Sequence, residues 1–150
     1  MSAVDPRLSI NQGTIKHADL ATALRVTVEA GVQSIGLWRE PVQEVGLATA
    51  ASMLTDSGLR FSTHCRSGFF TMPEGPARRA SIDDNLVAIE EAATLAAAGA
   101  PGSEAVLVLV AGGLPEGSRD LVGARERVRD ALGELAPHAA EAGVTLAIEP

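Results

Sequence analysis

Three times in this 150-residue chain a helix-like run stops at a glycine and passes straight into apolar residues: Ala30-Gly31-Val32, Ser57-Gly58-Leu59 and Ala142-Gly143-Val144. Glycine tolerates the left-handed backbone that closes a helix. A helix that ends this way and feeds at once into a buried strand is the repeating unit of a parallel α/β sheet.

Reading the chain in order gives four such units and one more strand. Leu8–Gln12 alternates and ends at Gly13, a first short strand. Asp19 caps a helix to Ala30 with Leu20, Leu24 and Val28 on one face. Ser34–Trp38 is the second strand, and Arg39-Glu40-Pro41 the loop after it. One helix is expected from about Val42 to Ser57, then a third strand, Arg60–Cys65. The stretch Ser67–Pro76 holds Phe69 and Phe70 and reads as a binding loop or lid. The next helix is expected from about Ser81 to Ala98, with Asp83 and Asp84 in its first turn, where they suit the helix dipole. Glu104–Val110 is an unbroken apolar strand of the kind covered on both faces. A last helix runs from Ser118 or Asp120 to Ala142, with Pro137 placed to kink or split it, and Val144–Glu149 is strand five. With no linker or low-complexity tract, residues 1–150 read as one unit.

Charge narrows the function classes. The net charge of −7 argues against a nucleic-acid groove, which needs clustered Lys and Arg. The longest apolar run, Ala105–Ala111, is too short to span a bilayer, so no membrane role is expected. The start of the chain has no basic region followed by an apolar core, so no signal peptide is expected. A single cysteine, Cys65, forms no intrachain disulfide and fits a reducing, cytoplasmic setting.

Strand residues alternate faces. Placing Glu149 on the inner face brings Thr145 and Ala147 with it and turns Val144, Leu146 and Ile148 to the helices. The same parity puts Ser34, Gly36 and Trp38, Ser62 and His64, and Ser9 and Asn11 on the inner face. Asn11, Trp38, His64 and Glu149 then gather at the C-terminal tips of the strands, where barrels and open α/β sheets bind ligands. Glu149 ends an otherwise apolar strand, where a charge is costly unless it is paired, metal-bound or at a mouth, and Pro150 fixes the backbone beside it. His64 suits substrate binding, metal binding or acid–base work, or a hydrogen-bonded place inside the barrel end. Trp38 offers a wall for a sugar ring or packs the core. Cys65, next to His64, is expected to point the other way, buried and inert. Ala111-Gly112-Gly113 is a tight turn or a phosphate cradle. No Gly-x-Gly-x-x-Gly follows strand one and no P-loop is present, so the dinucleotide and NTP fingerprints are missing.

These features resemble the sugar phosphate isomerase/epimerase superfamily, the xylose-isomerase-like (β/α)8 TIM barrels, in their N-terminal part. The resemblance rests on Ser34-Ile-Gly-Leu-Trp38, on His64, on Asp84-Asn85 before Ala88-Ile89, and most on Ala142-Gly-Val-Thr-Leu-Ala-Ile-Glu-Pro150. It covers nearly the whole chain but only about the first five of the eight barrel strands. It implies a divalent metal (Mn²⁺, Mg²⁺ or Co²⁺) held by a Glu, an Asp, a His and a Glu on strands five to eight. Only the first maps here, onto Glu149, which in the epimerases also takes part in proton transfer next to the carbonyl. His64 maps onto a position that faces substrate in relatives, or metal in the related endonucleases. Gly112 stands near the tip of strand four where those endonucleases would need another ligand.

The resemblance therefore implies a metal-dependent isomerase or epimerase acting on a small sugar-like substrate. The competing readings are a lyase or dehydratase on the same scaffold, resembling inosose dehydratase or a C-glycoside-cleaving enzyme, and a non-catalytic half-barrel that needs a partner. An open flavodoxin-like sheet is the alternative fold. Five strands leave sheet edges unpaired, so the expectation is a protein nearly twice as long or a partner subunit that closes the barrel. A homo-oligomer is compatible with either.

Overall fold

The structure is a computed structural model and describes residues 4–149, so Pro150 lies outside it. Five strands form one parallel sheet in chain order: β1 (Ile10–Asn11), β2 (Ser34–Trp38), β3 (Arg60–Gly68), β4 (Val106–Val110) and β5 (Thr145–Glu149). A 3-10 turn, Gln12–Ile15, follows β1. The helices are α1 (Leu20–Glu29), α2 (Arg39–Val45), α3 (Leu47–Ser57), α4 (Pro76–Ala98) and α5 (Leu121–Glu141). Among the described residues no helix is long and apolar enough to cross a membrane.

The junction glycines act as their sequence suggests. Gly58 caps α3 in the left-handed conformation, and Gly31 and Gly143 follow α1 and α5 with positive φ. Asp19 caps α1 by accepting from the Thr22 amide at 2.8 Å. Pro137 sits inside α5 without splitting it.

Several boundaries differ from the sequence reading: strand one, expected over Leu8–Gln12, is only Ile10–Asn11, and strand four, expected from Glu104, begins at Val106. The expected helix 42–57 is two helices, α2 and α3, broken at Gly46 (φ 85°), and α2 begins at Arg39 rather than after a loop. The helix expected from Ser81 begins at Pro76, whose missing N–H costs nothing in a first turn. Strand three continues past Cys65 to Gly68.

The helices cover one face of the sheet in two apolar clusters. Ile35, Leu37 and Phe61 pack with Leu20, Leu24, Leu54 and Leu95. Leu107 and Leu109 pack with Ile89, Leu135 and Ala139. The other face carries Asn11, Gly36, Val106, Val108, Val110, Thr145, Ala147 and Glu149, which register pairs strand by strand.

Strand β3 breaks that regularity. Ile35 pairs with Phe61, but the next residue, Gly36, pairs with Thr63, leaving Ser62 extra in a bulge. A second irregularity lies between His64, opposite Leu107, and Ser67, opposite Leu109. Gly36 makes room for the first: a Cβ there would sit 2.4 Å from Thr63 Oγ1. One extra residue shifts every later side chain to the opposite face.

Candidate functional site

The C-terminal strand tips form the candidate site on the face away from the helices. Asn11 Oδ1 accepts from the Gly13 amide (2.9 Å) and from Trp38 Nε1 (2.8 Å), so it fixes the indole. The ring lies against Gly13, where a Cβ would fall 2.6 Å from Cζ2. The Trp38 amide donates to Gln12 Oε1 at 2.9 Å. Trp38 also borders a cavity of about 400 Å³ with Gln12, Lys16, His17 and Glu40. Glu149 pairs in register with Val110 and is exposed at the tip of β5. Asn11, Trp38 and Glu149 thus share one face, as their strand parity suggests.

His64 does not join them. The bulge at Ser62 turns it to the helix side, between Leu37 and Leu107, with no exposed surface. Its Nε2 lies 3.0 Å from Glu91 Oε2, while Nδ1 is buried without a partner among the described residues. The expectation that His64 faces substrate at the mouth is corrected to a buried place behind the sheet.

Cys65 takes the mouth position in its stead, paired with Trp38 and only half-buried, where the parity count expected a buried residue on the far side. Burial pushes its thiol up from 9.0, the Glu149 carboxylate adds to this, and Arg66 opposes it. A thiol held protonated at neutral pH is a poor nucleophile.

Sequence reasoning missed a buried polar network in the seam between the two apolar clusters. Arg39, 6% exposed, donates from Nε to Glu91 Oε2 (2.7 Å) and from Nη1 to Asp84 Oδ2 (2.7 Å) and Ser67 Oγ (3.3 Å). Gln43 Nε2 donates to Glu91 Oε1 at 3.2 Å. Burial pushes the Glu91 carboxyl up, but hydrogen bonds from His64, Arg39 and Gln43 and the charge of Arg39 outweigh it and hold it at about 2, against 4.5 ordinarily. Arg39 resists its own burial through Asp84 and Glu91, and its guanidinium is held above its ordinary range. The network ties β3 to α2 and α4 directly beneath the mouth.

Asn85, next to Asp84 in α4, performs a related task. Its Oδ1 accepts from the Gly68 amide (2.8 Å) and its Nδ2 donates to Gly68 O (3.1 Å), clamping the end of β3. A Cβ at Gly68 would lie 2.1 Å from Val110 O, so only glycine fits between the clamp and β4. Asn85→Ala leaves the Gly68 amide buried and unpaired. It is expected to cost about 1–3 kcal/mol in urea unfolding and to speed hydrogen exchange at Gly68 and Phe69. Unchanged exchange at those amides would refute the clamp.

The Ala111-Gly112-Gly113 turn packs on the loop after β3, where Thr71 Oγ1 donates to Gly113 O at 2.6 Å. The cavity beside it, about 440 Å³, is lined largely by Leu114, Leu121, Ala124 and Val128. That lining suits a turn better than a phosphate cradle. Among the described residues no group of three His, Cys, Asp or Glu is placed to hold a metal.

The sequence profile of the xylose isomerase-like TIM barrels matches residues 24–150. The chain belongs to this family. A comparison with curated proteins gives no match. Among solved structures, a protein from Sinorhizobium meliloti 1021 is similar at 42% identity and a TM-score of 0.85, covering 95% of this chain and 50% of that one. D-psicose 3-epimerase, solved in the presence of D-fructose, is similar at 16% identity and a TM-score of 0.72, covering 93% and 50%. The IolI protein with a bound zinc atom is similar at 18% identity and a TM-score of 0.74, again covering 93% and 50%. This chain spans about half the length of each of these structures. Its five parallel strands alternating with helices match the N-terminal half of such a barrel.

Proposed function

We propose that residues 1–150 form the first portion of one xylose isomerase-like barrel domain, and that the complete site isomerises or epimerises a small sugar-like substrate. The observation that carries this reading is Glu149. It is a carboxylate at the C-terminal tip of β5, on the face away from the helices, in register with Val110. The likeness to an epimerase structure supports the barrel in which such a carboxylate would work.

The proposed chemistry is a proton transfer. The Glu149 carboxylate takes the proton from the carbon next to the substrate carbonyl. The bonding pair moves in to form an enediolate, and the resulting carboxylic acid returns the proton. One carboxylate suffices for the carbon-bound proton when it goes back to the neighbouring carbon on the same face while the hydroxyl proton passes from one enediolate oxygen to the other, which is isomerisation. Inversion at the same carbon needs a second acid on the opposite face, beyond the residues described. Trp38 would supply the wall against which the sugar ring packs, and Asn11 orients that wall.

A divalent cation, Mn²⁺, Mg²⁺ or Co²⁺, belongs to this reading with Glu149 as one ligand. A carboxylate is the hard oxygen donor such ions favour. The described residues bring no group of three His, Cys, Asp or Glu together and do not hold an ion by themselves, so the proton transfer above involves Glu149 alone. The single cysteine supports a cytoplasmic setting.

The test is solvent exchange. The intact protein, incubated in ²H₂O with a ketose, is expected to place deuterium next to the carbonyl, read by mass spectrometry. Loss of water from the substrate instead would favour the lyase reading, and neither would defeat both.

A further inference from the structure

We propose that Arg66 is a specificity residue that selects a substrate bearing an anionic group, a carboxylate or a phosphate, at the end remote from the reacting carbon. This rests on the isomerase reading and narrows its substrate class.

Arg66 directly follows Cys65 in the irregular segment of β3, at the mouth. Its guanidinium carbon lies 5.7 Å from the ring centroid of Trp38 and 5.7 Å from that of Phe69. Both distances are in the range of cation–π attraction. Both aromatics are themselves fixed. Trp38 is held by Asn11. Phe69, 45% exposed, has a φ of 65°, rare for a side-chain-bearing residue. Its amide donates to Val110 O at 2.7 Å, and Ser81 Oγ donates to its carbonyl at 3.2 Å. A strained residue held this firmly is a frequent mark of a functional site.

Aromatic contacts engage the face of a guanidinium and leave its N–H edge free. That edge is a planar fork matched to the two oxygens of a carboxylate or phosphate. Among the described residues no carboxylate lies within 4.0 Å of Arg66, although the chain as a whole is acidic, at −7. Arg39, Arg78 and Arg79 by contrast are each paired with an acid. Arg66 is therefore a preorganised cation at the mouth with its recognition edge uncommitted.

Its spacing from Glu149 suits one ligand. Adjacent strands lie about 4.8 Å apart, so the tips of β3 and β5 are roughly 10 Å apart. That is roughly the reach of a five- or six-carbon sugar with a hydrogen bond at each end. The anion would sit on Arg66 while the carbon chain extends across the tip of β4 toward Glu149.

The test compares binding of D-fructose, D-fructuronate and D-fructose 6-phosphate to the intact protein by calorimetry, for the wild type, R66Q and R66K. The wild type is expected to bind at least one charged probe ten-fold or more tighter than D-fructose. R66Q should bring that ratio close to one, and R66K should restore only part of it, because an ammonium lacks the fork. A preference for fructuronate assigns a carboxylate, and one for the phosphate ester assigns a phosphate. No preference in the wild type, or a preference that survives in R66Q, overturns the proposal. Thermal melts confirm that the variants fold, which the exposed position of Arg66 favours. Binding is read without turnover. Arg66-dependent anion binding without deuterium exchange would defeat the isomerase reading and keep the anion site. Exchange without charge preference would do the reverse.

Discussion

Glu149→Gln is expected to lower deuterium exchange into a ketose by about 10²–10⁴-fold, the usual contribution of a positioned general base. Gln keeps the shape of the side chain and removes both its charge and its capacity to take a proton. Glu149 is exposed and makes no buried ion pair, so stability should change by no more than about 0.5 kcal/mol. The two readouts together separate a chemical role from a structural one. Exchange that persists in a folded Glu149→Gln protein would remove Glu149 from the mechanism. An equal fall in exchange and in stability would assign it to the fold instead. Substrate binding should weaken far less than exchange, because the proposed work of Glu149 lies in the transition state.

The second large effect is on stability. Glu91→Ala removes the shared acceptor of His64, Arg39 and Gln43 and leaves a buried guanidinium with half its partners. Breaking a buried ion pair from one side costs about 3–5 kcal/mol. The lower end is expected here, because Asp84 and Ser67 still accept from Arg39. Glu91→Gln, which keeps the hydrogen-bonding shape, should cost less. The charged form also sets a pH window. The Glu91 carboxyl is depressed from 4.5 to about 2, so its stabilisation is complete above about 4.5 and is lost as pH falls through about 2. The gap between wild type and Glu91→Gln in urea unfolding should be constant at neutral pH and narrow between about 4.5 and 2. A gap that does not depend on pH would show that the charge of Glu91 contributes nothing.

Much of the scaffold was readable from local rules. Gly31, Gly58 and Gly143 announced three helix ends and Asp19 a start, and the Val and Leu run of β4 announced a strand, although only its Leu107 and Leu109 face is buried and not both faces as expected. Glu149 reached its predicted face because β4 and β5 pair without interruption. What was not readable depends on partners distant in sequence. The face of His64 was assigned by counting in twos from Ser62, and the count fails because Ser62 has no partner in β2. The available signal was Gly36, a residue without a side chain opposite a Ser-Thr pair. It becomes a signal only once the register of β2 and β3 is known. Arg39 looked like loop punctuation because its partners Asp84 and Glu91 lie 45 and 52 residues away. Pro76 and Gly46, by contrast, were local cues to the start of α4 and the break before α3, and a stricter reading would have used them.

The bulge in β3 has a consequence for comparison among relatives. The residues that reach the mouth from this strand are selected by how many precede them, not by which they are. An alignment that matches His64 letter for letter with a histidine inside another barrel would equate two side chains on opposite sides of a sheet. A descendant that lost one residue between Arg60 and His64 would exchange the thiol and the imidazole between mouth and helix layer without altering either letter. In this family, gaps of one position within strand three should be weighed as heavily as substitutions when activities are assigned.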